Sequence, residues 1–259
     1  MKFNRRAFIA GGVSTPFIGK FNPDFIWKKH PDFGKKENPS LEDYINIPTN
    51  QLFDELGIDP ALIDKAYVGN FAGQQFSHQG HLGAALAGAN PALQHKPIMR
   101  TEGACASGGL AFTAALDALQ AGYDILLIVG AEVQTSVNAK QGAEYLAGAA
   151  HYATQRDIDP FTFPALFARR AKALMEAGLV TESDLADVAV KAYANANKNP
   201  LAHMRAVNMT KEAAMTSPQF LSNEELNPFL RVSHCSQVSD GGSAMLLVSE
   251  AGAKKVGLN

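Results

Sequence analysis

The sequence predicts an α/β fold in which a mixed, mostly parallel sheet carries helices on both faces and a helical segment is inserted between two strands. Strand-like and helix-like segments alternate over residues 7–133, which is the pattern of parallel strands joined by crossover helices. Residues 125–129 are apolar at every position, as is typical of a strand covered on both faces. Residues 136–230 contain no comparable apolar strand and are interpreted as loops and helices.

The individual elements follow from local signals along the chain. Strands are predicted at 7–13, 65–71, 97–101 and 125–133, and helices at 41–56, 83–88 and 107–120. Helix 107–120 carries a single charge, Asp117, so we expect it to be buried on all sides. In the insertion, helices are predicted at 163–177 and at 182–197, where a capping-box-like sequence begins at Thr181. Strands return at 231–236 and 243–249, and Asp240-Gly241-Gly242 is interpreted as a turn before the last strand.

Composition restricts the classes of function. The chain has 259 residues, of which 46% are hydrophobic and 19% charged, and its net charge is −2. These values indicate a globular protein with no electrostatic reason to bind nucleic acid or an anionic membrane. Two cysteines do not suggest a disulfide framework, so a reducing, cytoplasmic setting is expected. Arg5-Arg6 resembles a twin-arginine export signal, but Ser14, Thr15 and Pro16 interrupt the apolar stretch, which favours a strand.

Cys105 is the main candidate for chemistry because it lies between strand 97–101 and helix 107–120. Unpaired N–H groups and the helix dipole favour an anion at a helix N-terminus, and the thiolate is the nucleophilic form of cysteine. The alternative is a small buried hydrophobic side chain, which is the usual role of a free cysteine. Ser107 and Gly108 are interpreted as residues that shape the turn and allow close backbone approach. Helix capping is a better interpretation of Ser107 than direct chemistry.

The histidines give weaker signals. His78 and His81 have the spacing of metal ligands, but no further ligands cluster near them, so loop positions are expected and no metal site is predicted. His234 adjoins the second cysteine, but neighbours on an extended chain point to opposite faces, so a Cys–His pair is not expected. His203 lies in the insertion, where it could contact a phosphate, although an ordinary solvated surface is the preferred interpretation.

Four segments, in the same order along the chain, resemble the thiolase family. Residues 7–17 (AFIAGGVSTPF) resemble its opening strand and turn, and residues 102–109 (EGACASGG) resemble its nucleophile motif. Residues 163–170 (FPALFARR), with VAVK at 188–191 and Asn199-Pro200, are similar to the loop domain of the sterol-carrier-protein-type branch. Residues 233–242 (SHCSQVSDGG) resemble the loop and strand that re-enter the core.

The resemblance implies an acyl-CoA C-acyltransferase of the acetyl-CoA acetyltransferase type, with a place in lipid and fatty-acid metabolism. Cys105 would form an acyl thioester during Claisen condensation of acyl-CoAs or thiolytic cleavage of a 3-ketoacyl-CoA. Its backbone N–H would supply half of an oxyanion hole. Ser236 matches the family position that borders the bound pantetheine arm, and a turn-stabilising hydroxyl is the equal alternative. Coenzyme A enters as part of the substrate, and no metal or other cofactor is implied.

The resemblance also implies a division into an N-terminal core domain, residues 1–135 and 231–259, and a loop domain, residues 136–230. Thiolases have a second, similar half that supplies a catalytic histidine, an oxyanion motif and a second cysteine, none of which is located here. We therefore expect the chain to be inactive without that half, and to form a homodimer or a complex with a chain that supplies it. The alternatives are a non-catalytic acyl-CoA-binding or scaffolding subunit and another condensing enzyme, such as a ketoacyl synthase. The long insertion argues against the latter.

Overall fold

The computed structural model describes residues 4–258, which divide into two compact units. Within the described residues, the first unit contains residues 4–17, 26–133 and 240–258. The second unit contains Ile18–Phe25 and Gln134–Ser239. Residues 231–239, which the sequence assigns to the core domain, thus fall within the second unit. Residues 1–3 and 259 of the predicted core domain lie outside the described residues.

The first unit is built on a five-stranded sheet. Its strands are β1 Ala7–Ser14, β2 Lys65–Gly69, β3 Ile98–Thr101, β4 Ile125–Glu132 and β5 Gly241–Ser249, in the order β1-β5-β4-β2-β3. β2 pairs in parallel with β3 and β4, whereas β5 is antiparallel to β4 and to β1. Consequently β1, β2, β3 and β4 point in one direction and only β5 in the other. The predicted mixed, mostly parallel sheet is confirmed.

The helices cover the sheet and build the second unit. In chain order they are α1 Leu41–Leu56, α2 Gly73–Ser77, α3 Leu82–Ala89, α4 Ser107–Gln120, α5 Ala139–Leu146, α6 Tyr152–Gln155, α7 Thr162–Glu176, α8 Glu182–Ala196, α9 Lys211–Thr216 and α10 Glu250–Lys255. Helices α5 to α9 belong to the second unit. Within residues 4–258, none of the helices combines the length and the apolar character needed to cross a bilayer.

Helices α1 and α4 lie on opposite faces of the sheet. Leu126 and Ile128 of β4 share a hydrophobic cluster with Ala111 of α4. Because side chains alternate between the two faces of a strand, Leu127 points to the other face, where α1 packs against β4 and β5. A Cβ at Gly242 of β5 would lie 1.9 Å from the Tyr44 carbonyl oxygen of α1. Gly242 is therefore a strand residue that lets a helix approach the sheet, and its interpretation as part of a turn is wrong.

Helix α4 is buried on one face only, contrary to the prediction from its composition. Ala111, Ala115 and Leu119 are fully buried against the sheet, whereas Leu110 is 42% exposed. The charged Asp117 is also exposed. The prediction assumed that every apolar face of a helix is buried. Among the described residues, the sheet buries one face of α4.

The predicted strand at 231–236 is wrong, because Val232–His234 form a 3₁₀ turn. The backbone of this segment is satisfied by neighbouring loop residues and by its own turn. The Val232 N–H donates to the Pro218 carbonyl oxygen at 2.9 Å, and the Ser233 N–H donates to Ser217 Oγ at 3.0 Å. No partner strand is needed.

Candidate active site at the carboxyl edge of the parallel strands

The three adjacent parallel strands end at the same edge of the sheet. β2 ends at Gly69, β3 at Thr101 and β4 at Glu132, and the register pairs Gly69 with both Thr101 and Gly130. In open α/β sheets, ligands bind at the carboxyl ends of such strands. The loop that carries Cys105 leaves β3 at this edge and leads into α4.

Cys105 lies in a single 3₁₀ turn, Ala104–Ala106, immediately before α4. It is an exposed free cysteine. Within residues 4–258, its backbone N–H pairs with no acceptor. Ala104 has a φ of 51°, the left-handed region that costs a residue with a Cβ about 1–2 kcal/mol. The loop thus holds an accessible thiol and a free N–H donor together on a sharp turn, as a nucleophile and an oxyanion donor require.

Ser107 holds this turn together. Its hydroxyl donates to the Ala104 carbonyl oxygen at 2.6 Å and accepts from the Gly103 N–H at 3.1 Å. The side chain is buried, so the two backbone groups have a fixed partner. The expected helix cap is not observed, because the N-cap residue of α4 is Ala106 and makes no side-chain cap bond. Ser107 therefore closes the loop before the helix.

Gly69, which the sequence analysis missed, allows α4 to start close to the sheet. A Cβ on Gly69 would lie 2.7 Å from the Ser107 carbonyl oxygen and 2.8 Å from the Gly108 Cα atom. A Cβ on Gly108 would meet nothing within 4 Å. Close approach therefore depends on the strand glycine, and the role predicted for Gly108 is wrong. The signal available in the sequence was a glycine near the end of the predicted strand 65–71.

Glu132, also missed, is a half-buried carboxylate at the end of β4. Its oxygens accept from the Phe71 N–H at 2.9 Å, the Ala72 N–H at 3.3 Å and Asn70 Nδ2 at 2.9 Å. Burial raises the pKa of the Glu132 carboxyl above its ordinary value, although these donors and the charge of Arg100 act in the opposite direction. The signal in the sequence was a lone charge at the end of an apolar strand.

The second unit contains Ser236 and the second cysteine. Ser236 is exposed. Cys235 is half-buried in a hydrophobic cluster, with its Sγ 3.7 Å from the Arg231 carbonyl oxygen. Burial raises the pKa of the Cys235 thiol above its ordinary value. The neighbouring His234 ring has its pKa lowered by burial and by the charge of Arg231, and its Nδ1 accepts from the Arg231 N–H at 3.3 Å.

The remaining histidines differ in their surroundings. His203 is not on a freely solvated surface as preferred above, because its Nδ1 lies 2.8 Å from Ser239 Oγ and its Nε2 lies 2.9 Å from the Lys20 carbonyl oxygen. His78 ends α2, and His81 precedes α3. Among the described residues, no group of three or more histidine, cysteine or acidic side chains is arranged to hold a metal ion.

The family model described as the thiolase N-terminal domain matches residues 32–251. The chain belongs to the thiolase family. This match confirms the resemblance found in the sequence motifs, and the Cys105 loop and most of the second unit lie inside the matched range.

Curated relatives of this thiolase-family chain include enzymes named as transferases. It is 32% identical over 209 residues to the acetyl-CoA acetyltransferase of Methanothermobacter thermautotrophicus, a match that covers 80% of this chain and 52% of the relative. It is 34% identical over 201 residues to the acetyl-CoA acetyltransferase of Methanocaldococcus jannaschii, covering 77% and 48%. The benzoylsuccinyl-CoA thiolase subunit BbsB of Thauera aromatica is 25% identical, with coverage of 77% and 48%. The chain thus spans about half the length of these relatives.

Solved structures share the fold. Human mitochondrial 3-ketoacyl-CoA thiolase in complex with CoA matches with a TM-score of 0.67 at 14% identity, covering 98% of this chain and 67% of that chain. The Ltp2-ChsH2(DUF35) aldolase also matches with a TM-score of 0.67, at 22% identity, covering 96% and 56%. These likenesses establish a thiolase-like architecture for the chain.

Proposed function

We propose that this chain carries the nucleophile of a thiolase-type acyl-CoA C-acyltransferase, and that Cys105 is that nucleophile. The observation that supports this most directly is the geometry of the Cys105 loop. The thiol is exposed at the carboxyl edge of three parallel strands, at the start of a helix, with its own N–H unpaired within residues 4–258. Cys235, by contrast, is half-buried in a hydrophobic cluster.

The proposed reaction proceeds through a thioester on Cys105. The Cys105 thiolate attacks the thioester carbonyl carbon of one acyl-CoA, the bond from that carbon to the CoA sulfur breaks, and coenzyme A leaves and takes up a proton. The α-carbon of a second acyl-CoA loses a proton to a base and attacks the Cys105 thioester. A carbon–carbon bond forms and the Cys105 thiolate is released. Thiolytic cleavage of a 3-ketoacyl-CoA is the reverse, and covalent catalysis divides one difficult step into two easier ones.

The residues around Cys105 have defined roles in this proposal. The Cys105 N–H donates to the oxygen of the tetrahedral intermediate, as one donor of an oxyanion hole. The hydrogen bonds of Ser107 and the left-handed turn at Ala104 fix the backbone on either side of that N–H. For Ser236, an exposed residue of the second unit, we propose contact with the pantetheine arm of the acyl-CoA, on the basis of its position in the family motif. Coenzyme A is substrate, and the proposal requires no separate cofactor.

Turnover, in this proposal, needs groups from a second thiolase half. General acid–base groups contribute about 10²–10⁴-fold each, and within the described residues no titratable side chain pairs with the Cys105 thiol. The names of two similar proteins, a thiolase subunit and a complex with a DUF35 protein, are consistent with activity in a multichain assembly. We therefore propose either a homodimer or a complex with a chain that supplies the second half. Sedimentation at several concentrations, of the chain alone and mixed with a chain that supplies the second half, tests this. A monomer at every concentration in both samples contradicts it.

Transfer of an acetyl group to Cys105 tests the proposed chemistry. The chain is incubated with acetyl-CoA, alone and together with a chain that supplies the second half, and the acetylated peptide is located by mass spectrometry. We expect acetylation of the Cys105 peptide, its loss in Cys105→Ser, and its retention in the matched control Cys235→Ser. Acetylation at Cys235, or none at either cysteine when the second half is present, contradicts the proposal. Saturable acetyl-CoA binding without acetylation instead supports a non-catalytic subunit.

A further inference from the structure

A continuous chain of hydrogen bonds connects Glu132, on β4, to the Cys105 loop that follows β3. The chain begins with the segment after β2. Glu132 accepts from the backbone N–H groups of Phe71 and Ala72 at 2.9 and 3.3 Å, and from Asn70 Nδ2 at 2.9 Å. Asn70 is itself buried and donates to the Ala131 carbonyl oxygen at 2.8 Å. One carboxylate therefore fixes three consecutive residues at the end of β2.

Arg100 holds the same segment from β3. Its Nη2 donates to the Phe71 carbonyl oxygen at 2.8 Å, and its Nε donates to the Asn70 carbonyl oxygen at 3.4 Å. Nη2 also donates to the Asn70 carbonyl oxygen at 3.4 Å, and Nη1 donates to the Gly80 carbonyl oxygen at 3.4 Å. The N–H groups of Phe71 and Ala72 thus face a carboxylate, and the carbonyl groups of Asn70 and Phe71 face a guanidinium. Bonds with one ionised partner are about twice as strong as neutral ones.

The segment is in turn bonded to the Cys105 loop. The Asn70 N–H donates to the Thr101 carbonyl oxygen at 3.2 Å. Thr101 Oγ1 donates to the Ser107 carbonyl oxygen at 3.1 Å, and Ser107 Oγ bonds the two loop residues before Cys105. From Glu132 through Asn70, Thr101 and Ser107 to the loop, each residue is therefore hydrogen-bonded to the next. Gly69, one residue before Asn70, lies against the same Ser107 carbonyl group.

We infer that Glu132 and Arg100 are positioning residues for the Cys105 nucleophile: neither touches the thiol, and together they fix the segment 70–72 against which the loop is held. This inference rests on the proposed function for its catalytic consequence. Its structural part, that the two ionised side chains set the position of Cys105, can be measured without catalysis. Displacement of a reacting group by about 1 Å can reduce a rate about 10²-fold, so a small shift of the segment has a large effect.

Glu132→Gln is the direct test, because it keeps the shape of the side chain and removes the charge. One carboxylate oxygen becomes an NH₂ group, which then faces either the Phe71 and Ala72 N–H groups or the Asn70 NH₂ group. The new NH₂ group and the N–H groups that face it are all donors and cannot pair, so residues 70–72 must move away from the side chain. We expect the maximal rate of Cys105 acetylation to fall about tenfold or more, with little change in the half-saturating acetyl-CoA concentration. The iodoacetamide alkylation of Cys105 should slow several-fold relative to that of Cys235. Arg100→Lys, which keeps the charge and loses the planar fork, should act in the same direction.

Asp64→Ala is the matched control. Asp64 Oδ2 accepts from the backbone N–H groups of Asp124 and Ile125 at 2.8 and 2.9 Å, at the opposite end of β4. The substitution removes backbone-to-carboxylate hydrogen bonds at the start of the strand that Glu132 ends. It should therefore reduce the urea midpoint of unfolding and leave the acetylation and the alkylation of Cys105 unchanged. Wild-type rates in Glu132→Gln and Arg100→Lys, or equal slowing in Asp64→Ala, overturn the inference. If the wild type is never acetylated but alkylation slows in Glu132→Gln and Arg100→Lys and not in Asp64→Ala, the proposed function fails and the positioning role stands.

Discussion

Replacing Gly69 with alanine should displace the start of α4 and disturb the Cys105 loop. Gly69 is buried at the end of β2, and its missing side chain would point at the backbone of the first helical turn. The Cβ of an alanine would lie 2.7 Å from the Ser107 carbonyl oxygen and 2.8 Å from the Gly108 Cα atom. Both atoms are backbone, so no side-chain rotation relieves the contact.

The size of the effect follows from these distances. Ordinary van der Waals contact begins near 3.4 Å, whereas the alanine Cβ would lie 2.7 Å from the Ser107 carbonyl oxygen. The start of the helix must therefore move away by roughly 0.7 Å. Overpacking of this kind typically costs about 1–3 kcal/mol, and we expect the upper end because backbone must move. The bond from Thr101 Oγ1 to the same Ser107 carbonyl group should lengthen. Alkylation of Cys105 should therefore slow together with the loss of stability.

Gly130→Ala is the matched control, measured by urea unfolding and by iodoacetamide labelling. Gly130 pairs with Gly69 in the β2–β4 register, and a Cβ there would meet only the Gly69 carbonyl oxygen, at 3.9 Å. We expect its free energy of unfolding to remain within about 1 kcal/mol of the wild-type value. If Gly69→Ala unfolds at the same urea concentration as Gly130→Ala and labels Cys105 at the same rate, the close approach of α4 to β2 is not needed and the reasoning fails.

Three further results are expected. Ser107→Ala removes two hydrogen bonds without opening a cavity of note, so it should lower the free energy of unfolding by about 1–3 kcal/mol in urea titrations; unchanged stability contradicts the loop-closing role. Iodoacetamide at neutral pH should label Cys105 well before Cys235, because Cys105 is exposed while burial raises the pKa of Cys235; peptide mapping of the folded protein checks this, and faster labelling of Cys235 contradicts it. Hydrogen bonds led by that from Lys255 hold the pKa of Asp124 below its ordinary value of 3.8, so this carboxylate stabilises the fold above that pH and loses its effect as the pH falls. Asp124→Asn should therefore lower the urea midpoint at pH 7, and the difference should narrow below about pH 4; a constant difference contradicts it.

Local signals in the sequence were sufficient for much of the fold. Helices 41–56 and 107–120 have the predicted bounds. For α1 the reason is local, since Ser40 forms a capping box at one end and Gly57 adopts the left-handed conformation at the other. The segment at 231–236 failed because its apolar and polar residues resemble a strand, whereas its hydrogen bonds go to loop residues about 14–16 positions away. Such partners are set by tertiary structure and leave no pattern in the segment itself.

The same distinction between local and long-range contacts decides which residues of the candidate site could be predicted. Cys105 could be identified because the strand, the small residues and the helix that surround it are contiguous in sequence. Glu132 and Gly69 could not be assigned a role, because the atoms they contact lie about 60 and 38 residues away in the chain. A buried parallel strand that ends in a single carboxylate is nevertheless an interpretable pattern. Ionising a buried group is costly unless it is hydrogen-bonded, so a lone charge at the carboxyl edge of a sheet indicates that neighbouring loops supply donors to it. At this edge the donors come from residues 70–72, and the Asn70 N–H in turn bonds the Thr101 carbonyl oxygen, where the Cys105 loop begins.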